Sequence, residues 1–162
     1  MKKLLSLLGT ITLVGSTSAS VIACTNDNNS FKEIDKEQLK KCFLTLFTNF
    51  NKESGNFLYI IQKENDINKL EEGLKKWIEN MKNEIVKFFK ELNIKTEEEN
   101  YINKLEEGFN SLYTEFFNEL NKYNSGSKQK IINEINNSID TIDKILANLD
   151  YFINEFLKLT IN

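Results

Sequence analysis

Residues 128–162 read KQKIINEINNSIDTIDKILANLDYFINEFLKLTIN, and their apolar pattern decides the fold class. Eight apolar residues follow one another in alternating steps of three and four: Ile132, Ile135, Ile139, Ile142, Leu146, Leu149, Ile153 and Phe156. Four more widen this stripe on one side: Ile131, Ile145, Phe152 and Leu159. The spacing is typical of a heptad seam on a helix, and the added width favours a helix packed in a bundle over a bare two-stranded coil. The stretch therefore predicts a long C-terminal helix.

The rest of the chain extends this pattern to an all-α fold, predicted as an antiparallel bundle of about four helices with heptad-like seams. The three earlier helices have expected bounds of about 31–51, 57–92 and 96–123, with turns at 53–56, 93–96 and 124–127. Thr96 and Glu99 match a capping box, and Ser127 is the expected N-cap of the C-terminal helix. A further interruption near Asn65-Asp66 stays open.

An internal repeat supports the helical interpretation. Residues 64–74, ENDINKLEEGL, recur as residues 99–109, ENYINKLEEGF, with nine of 11 positions identical at an offset of 35. The predicted core positions of the two copies correspond at the same offset of 35. The first copy has Ile67, Leu70, Leu74, Trp77, Met81, Ile85 and Phe88, and the second has Ile102, Leu105, Phe109, Leu112, Phe116, Leu120 and Tyr123. Because 35 residues are five heptads, equivalent residues return to one helix face. Duplication of a helix-plus-turn unit is the leading explanation and a repeated binding epitope the alternative. The recurrent Gly73 and Gly108 indicate close helix contact or shared descent.

The N-terminus has the features of a lipoprotein leader. Met1-Lys2-Lys3 is basic, and residues 4–14 form an apolar stretch of 11 residues, too short to span a hydrocarbon core about 30 Å thick. Val21-Ile22-Ala23-Cys24 is a lipobox, in which the Cys24 thiol receives diacylglycerol and a peptidase cuts between Ala23 and Cys24. The alternatives are a plain signal peptide with a chance cysteine and an uncleaved anchor. The expected domains are a signal peptide at 1–23, a diacylglyceryl cysteine with a polar tether at 24–30, and a helical bundle domain at 31–162.

This leader resembles those of surface lipoproteins from wall-less bacteria (mollicutes), and it is spiralin-like. The Met-Lys-Lys-Leu-Leu-Ser start and the Val-Ile-Ala-Cys end carry the resemblance, which covers about 24 of the 162 residues and none of the helical domain. It implies an address, the extracellular face of the cell membrane, and no activity. Stable anchoring needs two acyl chains, which a diacylglyceryl cysteine supplies. Palmitate labelling would test the anchor.

Cys42 is the second of two cysteines, and it has no partner in its own chain once Cys24 is acylated. It lies between Leu39, Phe43 and Leu46 at helical spacing. The leading interpretation is a small buried apolar residue, because cysteine packs well in cores. An intermolecular disulfide or a reactive thiol is the alternative.

Charge argues against two classes of partner. The chain carries 21 lysines, no arginine and 24 acidic residues, a net charge of −3. Loss of Lys2 and Lys3 with the leader leaves 19 lysines against 24 acids, or −5. Nucleic-acid binding depends on clustered basic side chains, and lying flat on anionic lipid depends on them too. No nucleic-acid partner is expected.

No catalytic residue, metal site or cofactor is expected either. The sequence has no histidine, which removes Ser-His-Asp and Cys-His sites, the main nitrogen ligand of zinc and the Glu-x-x-His motif of di-iron bundles. The carboxylate clusters, among them Glu71-Glu72 with Lys75 and Lys76 four residues later, mark a solvated helix face. Tyr151 stands out as the aromatic residue in an otherwise polar outer stripe of Lys130, Asn137, Lys144 and Lys158, and it is a possible contact point.

Three functions follow, in decreasing order of support. The first is a membrane-anchored surface module that binds a host or environmental protein, as adhesion-type proteins do. The second is a structural, self-associating coat lipoprotein, a homo-oligomer paired through the coiled-coil pattern of the C-terminal helix. The third is an enzyme or toxin, which the missing chemistry disfavours.

Overall fold

The computed structural model describes residues 35–92, 99–122 and 125–161, and throughout these ranges the chain is helical or forms short connections between helices. Five helices are present in them: α1 at Lys36–Lys63, α2 at Ile67–Glu91, α3 at Glu99–Leu120, α4 at Ser125–Ala147 and α5 at Leu149–Ile161. The all-α prediction is confirmed. The predicted lipobox, the tether and the Thr96 cap lie outside the described residues.

Neighbouring helices run antiparallel, as contacts between them show. The Gln38 side chain near the start of α1 donates to the carbonyl of Glu91 at the end of α2, at 3.0 Å. Lys82 of α2 pairs with Glu106 early in α3, while Tyr113 further along α3 donates to Glu71 early in α2. Helix α1 also packs against α4 and α5, and α3 packs against α4. Helices α1 to α4 are therefore neighbours in a ring, and α5 continues along α1.

The interior is filled by one continuous apolar cluster with two aromatic centres. Near the start of α1, Phe43 lies 4.7 Å from Phe88 and 5.1 Å from Phe156 between ring centroids. Further along, the Trp77 indole is stacked between Phe57 at 4.9 Å and Phe116 at 5.8 Å. Aromatic side chains bury large areas, so these centres tie α1, α2, α3 and α5 together.

The first helix does not break at residues 53–56, contrary to the sequence prediction. Helix α1 runs straight through them to Lys63, because Ser54 is buried and its Oγ accepts a hydrogen bond from Trp77 Nε1 at 3.3 Å. The break comes at Glu64–Asp66, where the Asp66 side chain caps α2 by accepting from the Asn68 amide at 2.9 Å. This is the interruption that the sequence left open.

The outer bounds of two predicted helices also need correction. Helix α1 begins at Lys36 and not near residue 31, since Asp35 has an extended backbone and caps the helix through the Glu37 amide at 3.0 Å. Ser127 is not the N-cap of the C-terminal helix, because α4 already starts at Ser125 and Ser127 is buried inside it.

The long C-terminal helix is interrupted at Asn148, which separates α4 from α5. The Asn148 amide bonds to the carbonyl of Ile145, three residues back, at 3.1 Å, and its side chain donates to the carbonyl of Lys144 at 3.1 Å. An i to i−3 bond tightens the turn, so the helix axis is interrupted there.

The apolar seam of this segment is rotated slightly from its predicted position. Five of the eight predicted residues are buried: Ile135, Ile142, Leu149, Ile153 and Phe156. The other three, Ile132, Ile139 and Leu146, are half-buried, while Ile131 and Ser138 are buried in their place. The core positions of the repeat were predicted more accurately than this seam. Each of them whose side chain is described is buried, except Ile67, which is half-buried.

Candidate functional site

Tyr151 is exposed, as the outer stripe predicted. Its side chain is 69% exposed near the start of α5, and Lys130, Asn137 and Lys144 of the same stripe are exposed as well. The preceding residue, Asp150, forms an ion pair with Lys40 of α1, with Nζ and Oδ1 2.7 Å apart. The neighbouring Lys40 amine holds the pKa of Asp150 below its ordinary value. Tyr151 is thus held at the edge of the α1/α5 contact.

Within the described ranges two further large apolar side chains are exposed, and the sequence did not single them out. Leu44 is 48% exposed and Tyr59 is 64% exposed, both on α1. Leu44 lies one turn after Lys40, whereas Tyr59 lies near the far end of the helix. The exposure of Tyr59 was not predicted because the sequence suggested a helix break at 53–56. Only when α1 is continuous does Tyr59 lie on the face opposite the buried residues of that helix.

A groove between α1 and α2 has a mostly polar lining. It encloses about 490 Å³ and is lined largely by asparagine, glutamate and lysine. Two reciprocal hydrogen bonds cross it, from Asn49 to Glu84 and from Asn80 to Glu53, both at 2.6 Å. These bonds join the two helices, so the polar groups of the groove serve helix pairing.

Cys42 has the environment predicted for a structural cysteine. It is 6% exposed and free. Burial, together with the neighbouring Glu91 carboxylate, raises the pKa of the Cys42 thiol to about 11. Since the thiolate is the reactive form, burial and the raised pKa both disfavour reaction at the Cys42 sulfur near neutral pH. The predicted burial of Cys42 is confirmed.

The carboxylates of the repeat engage lysines and a tyrosine. Glu71 accepts from Lys75 at 2.6 Å, which is the predicted pair four residues apart, and from the Tyr113 hydroxyl at 2.9 Å. The Lys75 and Tyr113 hydrogen bonds lower the pKa of Glu71. Lys75 also lies 5.9 Å from the centre of the Tyr113 ring. This group ties α2 to α3 on the protein surface.

A second ionic group joins α3 to α4. Glu119 accepts from Lys122 at 2.6 Å and from Lys130 at 2.7 Å. These two hydrogen bonds lower the pKa of Glu119 from an ordinary 4.5 to about 2. The carboxylate is therefore charged across the whole physiological range and acts as a connector between helices.

In the part of the chain that the structure describes, no helix has the length and apolar character to cross a membrane, and no three metal-binding side chains cluster. Val21, Ile22, Ala23 and Cys24, the residues of the predicted lipidation site, lie outside that part. No family model, no curated protein and no solved structure matches this chain.

Proposed function

We propose that this chain is a lipoprotein anchored to the outer face of a cell membrane, where its helical domain binds another protein. The address rests on the Val21-Ile22-Ala23-Cys24 lipobox, which follows a basic start and an apolar stretch of 11 residues. Three independent features of a lipoprotein leader thus occur in the right order and spacing. The lipobox is the observation that carries the proposal.

Binding to a protein is supported by the surface of the helical domain. Most apolar side chains lie in the core, yet Leu44, Tyr59 and Tyr151 are exposed. Tyrosine is enriched in protein interfaces because its ring supplies area and its hydroxyl supplies a hydrogen bond. Tyr59 is the best candidate for contact with a partner, since it lies about 35 Å along α1 from Lys36, where the chain from Cys24 enters the domain.

The structural coat remains the alternative proposal, and the buried seam argues against it. Pairing of two chains through the C-terminal helix would use Ile135, Ile142 and Leu149, which are 0–7% exposed within one chain. These side chains would have to leave the core before they could contact a second copy. Exposing each of these side chains would cost about 1.5–3 kcal/mol of apolar burial.

The address is tested on the full chain by palmitate labelling and mass spectrometry of the N-terminal peptide. We expect a diacylglyceryl group on Cys24 and a new N-terminus at that residue. The Cys24→Ser variant should take up no label and keep its leader. An unmodified thiol at position 24 in a chain that still begins at Met1 would overturn the proposal.

The binding role is tested with a soluble Cys24→Ser chain lacking residues 1–23, used as bait for extracts of host tissue. We expect capture of a protein in stoichiometric amount, loss of capture in Tyr59→Ser, and full capture in the control Lys144→Gln, which also alters one exposed side chain. Capture that is absent, or equal in all three baits, would contradict a binding surface at Tyr59.

A further inference from the structure

Three hollows lie end to end between α1 and α2. The central hollow, of about 490 Å³, shares Asn49 and Glu84 with a hollow of about 250 Å³ on one side. On the other side it shares Glu53 and Asn80 with a hollow of about 180 Å³. We call the three hollows together the α1/α2 groove. It extends along residues 42–60 of α1, which is about 27 Å of helix.

The lining of the α1/α2 groove changes along its length. At the centre it is polar, and hydrogen bonds between asparagine and glutamate side chains join the two helices there. Apolar side chains line both ends, Leu46 and Phe88 in one end hollow and Ile60 and Trp77 in the other. An occupant that fits the whole groove is therefore elongated and carries both apolar and polar groups.

The exposed charges of the α1/α2 groove are mainly basic. Four exposed lysines line it: Lys52, Lys76, Lys87 and Lys90. Among the described residues, only Lys87 of these four forms an ion pair, with Glu84 at 2.5 Å. Of the three glutamates in the lining, Glu53 and Glu84 are half-buried and accept from asparagines of the opposite helix, and Glu91 is exposed. Three lysines of the groove can thus pair with an external anion, although the chain as a whole has a net charge of −3.

Tyr59 lies beside the α1/α2 groove. It follows Lys52, a lining residue, by seven positions, and residues seven apart on a helix differ by only about 20° in direction. It also directly precedes Ile60, so it is level with the end hollow that Ile60 lines. The Tyr59 side chain, which is 64% exposed, therefore adds an aromatic contact at the α1 edge of the groove.

We propose that the α1/α2 groove binds an acidic amphipathic helix of the partner protein, an inference that rests on the proposed function. A helix suits a trough between two helices, because its ridge of side chains fills the space between theirs. About 18 residues, or five turns, span the groove. Apolar side chains of the bound helix meet the end hollows and Tyr59, and its carboxylates meet the lysines. The apolar contacts supply most of the affinity, while the charges select the partner.

The test titrates the full chain, in neutral detergent, with a fluorescent 18-residue peptide that repeats leucine and glutamate at helical spacing. We expect saturable binding that is weakened at least about tenfold in Lys52→Glu/Lys90→Glu. The matched control, Lys36→Glu/Lys144→Glu, makes the same change of charge at two exposed lysines outside the groove and should bind as the wild type does. The milder Lys52→Gln/Lys90→Gln, with its folding checked by circular dichroism, should weaken binding at least about threefold.

Two further ligands test the chemistry of the occupant. The same peptide with lysine in place of glutamate should bind at least about tenfold more weakly than the acidic peptide. A heparin octasaccharide carries negative charge but no apolar groups for the end hollows, so it should also bind more weakly. Equal or tighter binding of the heparin fragment would assign the groove to an anionic glycan and overturn the inference.

The remaining outcomes separate this inference from the proposed function. No saturable binding of the acidic peptide up to about 1 mM, or equal binding by the wild type and both Glu double variants, removes the groove as the docking site. Host protein that is still captured through Tyr59 then leaves the proposed function intact. Peptide binding that weakens in Tyr59→Ser but not in Lys52→Glu/Lys90→Glu places the contact outside the groove. If no bait captures a host protein, the proposed function fails and the inference fails with it.

Discussion

A side chain at position 73 would have to fit against the neighbouring helix. A Cβ atom added to Gly73 would lie 3.0 Å from Ile60 Cγ2 and 3.3 Å from its Cδ1, closer than ordinary van der Waals contact. At Gly55 an added Cβ would meet nothing within 4 Å. Both glycines lie inside helices, where alanine is favoured by about 1 kcal/mol. Substitutions at these two positions therefore distinguish the effect of helix propensity on stability from the effect of contact between helices.

We predict that Gly55→Ala stabilises the domain and that Gly73→Ala does not. At Gly55 the gain in the free energy of unfolding should be about 0.5–1 kcal/mol, since only propensity changes. At Gly73 displacement of Ile60 should cancel that gain or exceed it. Urea unfolding followed by circular dichroism measures both values, with each glycine as the other's control. Equal stabilisation by the two substitutions would mean that α1 and α2 are less close at this point than described.

The sequence predicted a helix break at Ser54-Gly55, and this prediction was wrong because of contacts that single residues make in the fold. Serine and glycine together are common in turns, so the pair suggested a helix break. In the fold, Ser54 supplies the hydrogen-bond acceptor for the buried Trp77 indole, and Gly55 simply faces open space. The partner of Ser54 is 23 residues away in the chain, and no local pattern reveals such a pairing.

At the scale of the element, the junction between α3 and α4 depends on an ionic group that acid should weaken. Glu119 bonds to Lys122 on its own side and to Lys130 across the junction, with Glu115 also near Lys130. The pKa of Glu119 is lowered to about 2 in the folded state from an ordinary 4.5. A carboxyl group with a lowered pKa stabilises the fold above its unfolded pKa, and this contribution is lost as pH falls towards the folded value.

We predict that Glu119→Gln lowers stability near neutral pH and flattens its decline between about pH 5 and 2. The variant lacks the carboxylate whose protonation causes part of that decline, whereas both lysines stay protonated throughout the window. Urea midpoints measured at several pH values test this. The control is Glu107→Gln, which removes an exposed carboxylate from the same helix. Parallel pH profiles for wild type and Glu119→Gln would show that the junction does not depend on this group.

The C-terminal segment gives the sharpest test of the core at this scale. Ile142 lies at the centre of the seam and is 2% exposed. We predict that Ile142→Asp unfolds the domain, because a buried unpaired charge costs several kcal/mol, a large part of the total stability. Loss of the helical circular dichroism signal at 25 °C is the expected observation. Lys144→Asp, an exposed position two residues away, is the control and should stay folded. A folded Ile142→Asp would place the seam elsewhere.

Heptad spacing predicted the existence of this segment but not its exact register or its interruption. Steps of three and four hold equally for two adjacent lines on a helix, so Ile131 and Ile132 were both eligible for the core. The fold buries Ile131 and leaves Ile132 half-buried. The interruption at Asn148 arises from a side chain that bonds to the preceding turn. An asparagine on the polar face of a helix does not by itself predict such an interruption.

For the molecule as a whole, composition and periodicity were enough to predict the all-α class, the core of the repeat and an exposed Tyr151. They missed Tyr59 and Leu44, because exposure on α1 depends on which of its faces meets α4 and α5. Those contacts join residues about a hundred positions apart, such as Asn51 and Asp143. The candidate contact surface is thus a product of tertiary packing, and local spacing could reveal only the part on the C-terminal segment.

The oligomeric state depends on whether the apolar seam of the C-terminal segment is buried within one chain or between two chains. A coat protein paired through its C-terminal helix should form stable dimers in solution, whereas a helix already packed against α1 should not. We predict that the leaderless Cys24→Ser chain is a monomer at micromolar concentration, and light scattering coupled to size exclusion gives its mass directly. Ile132→Glu supplies the control, because this half-buried position is the most accessible part of the predicted seam. A dimer that Ile132→Glu dissociates would establish pairing through the C-terminal helix and make the coat the better account of this chain.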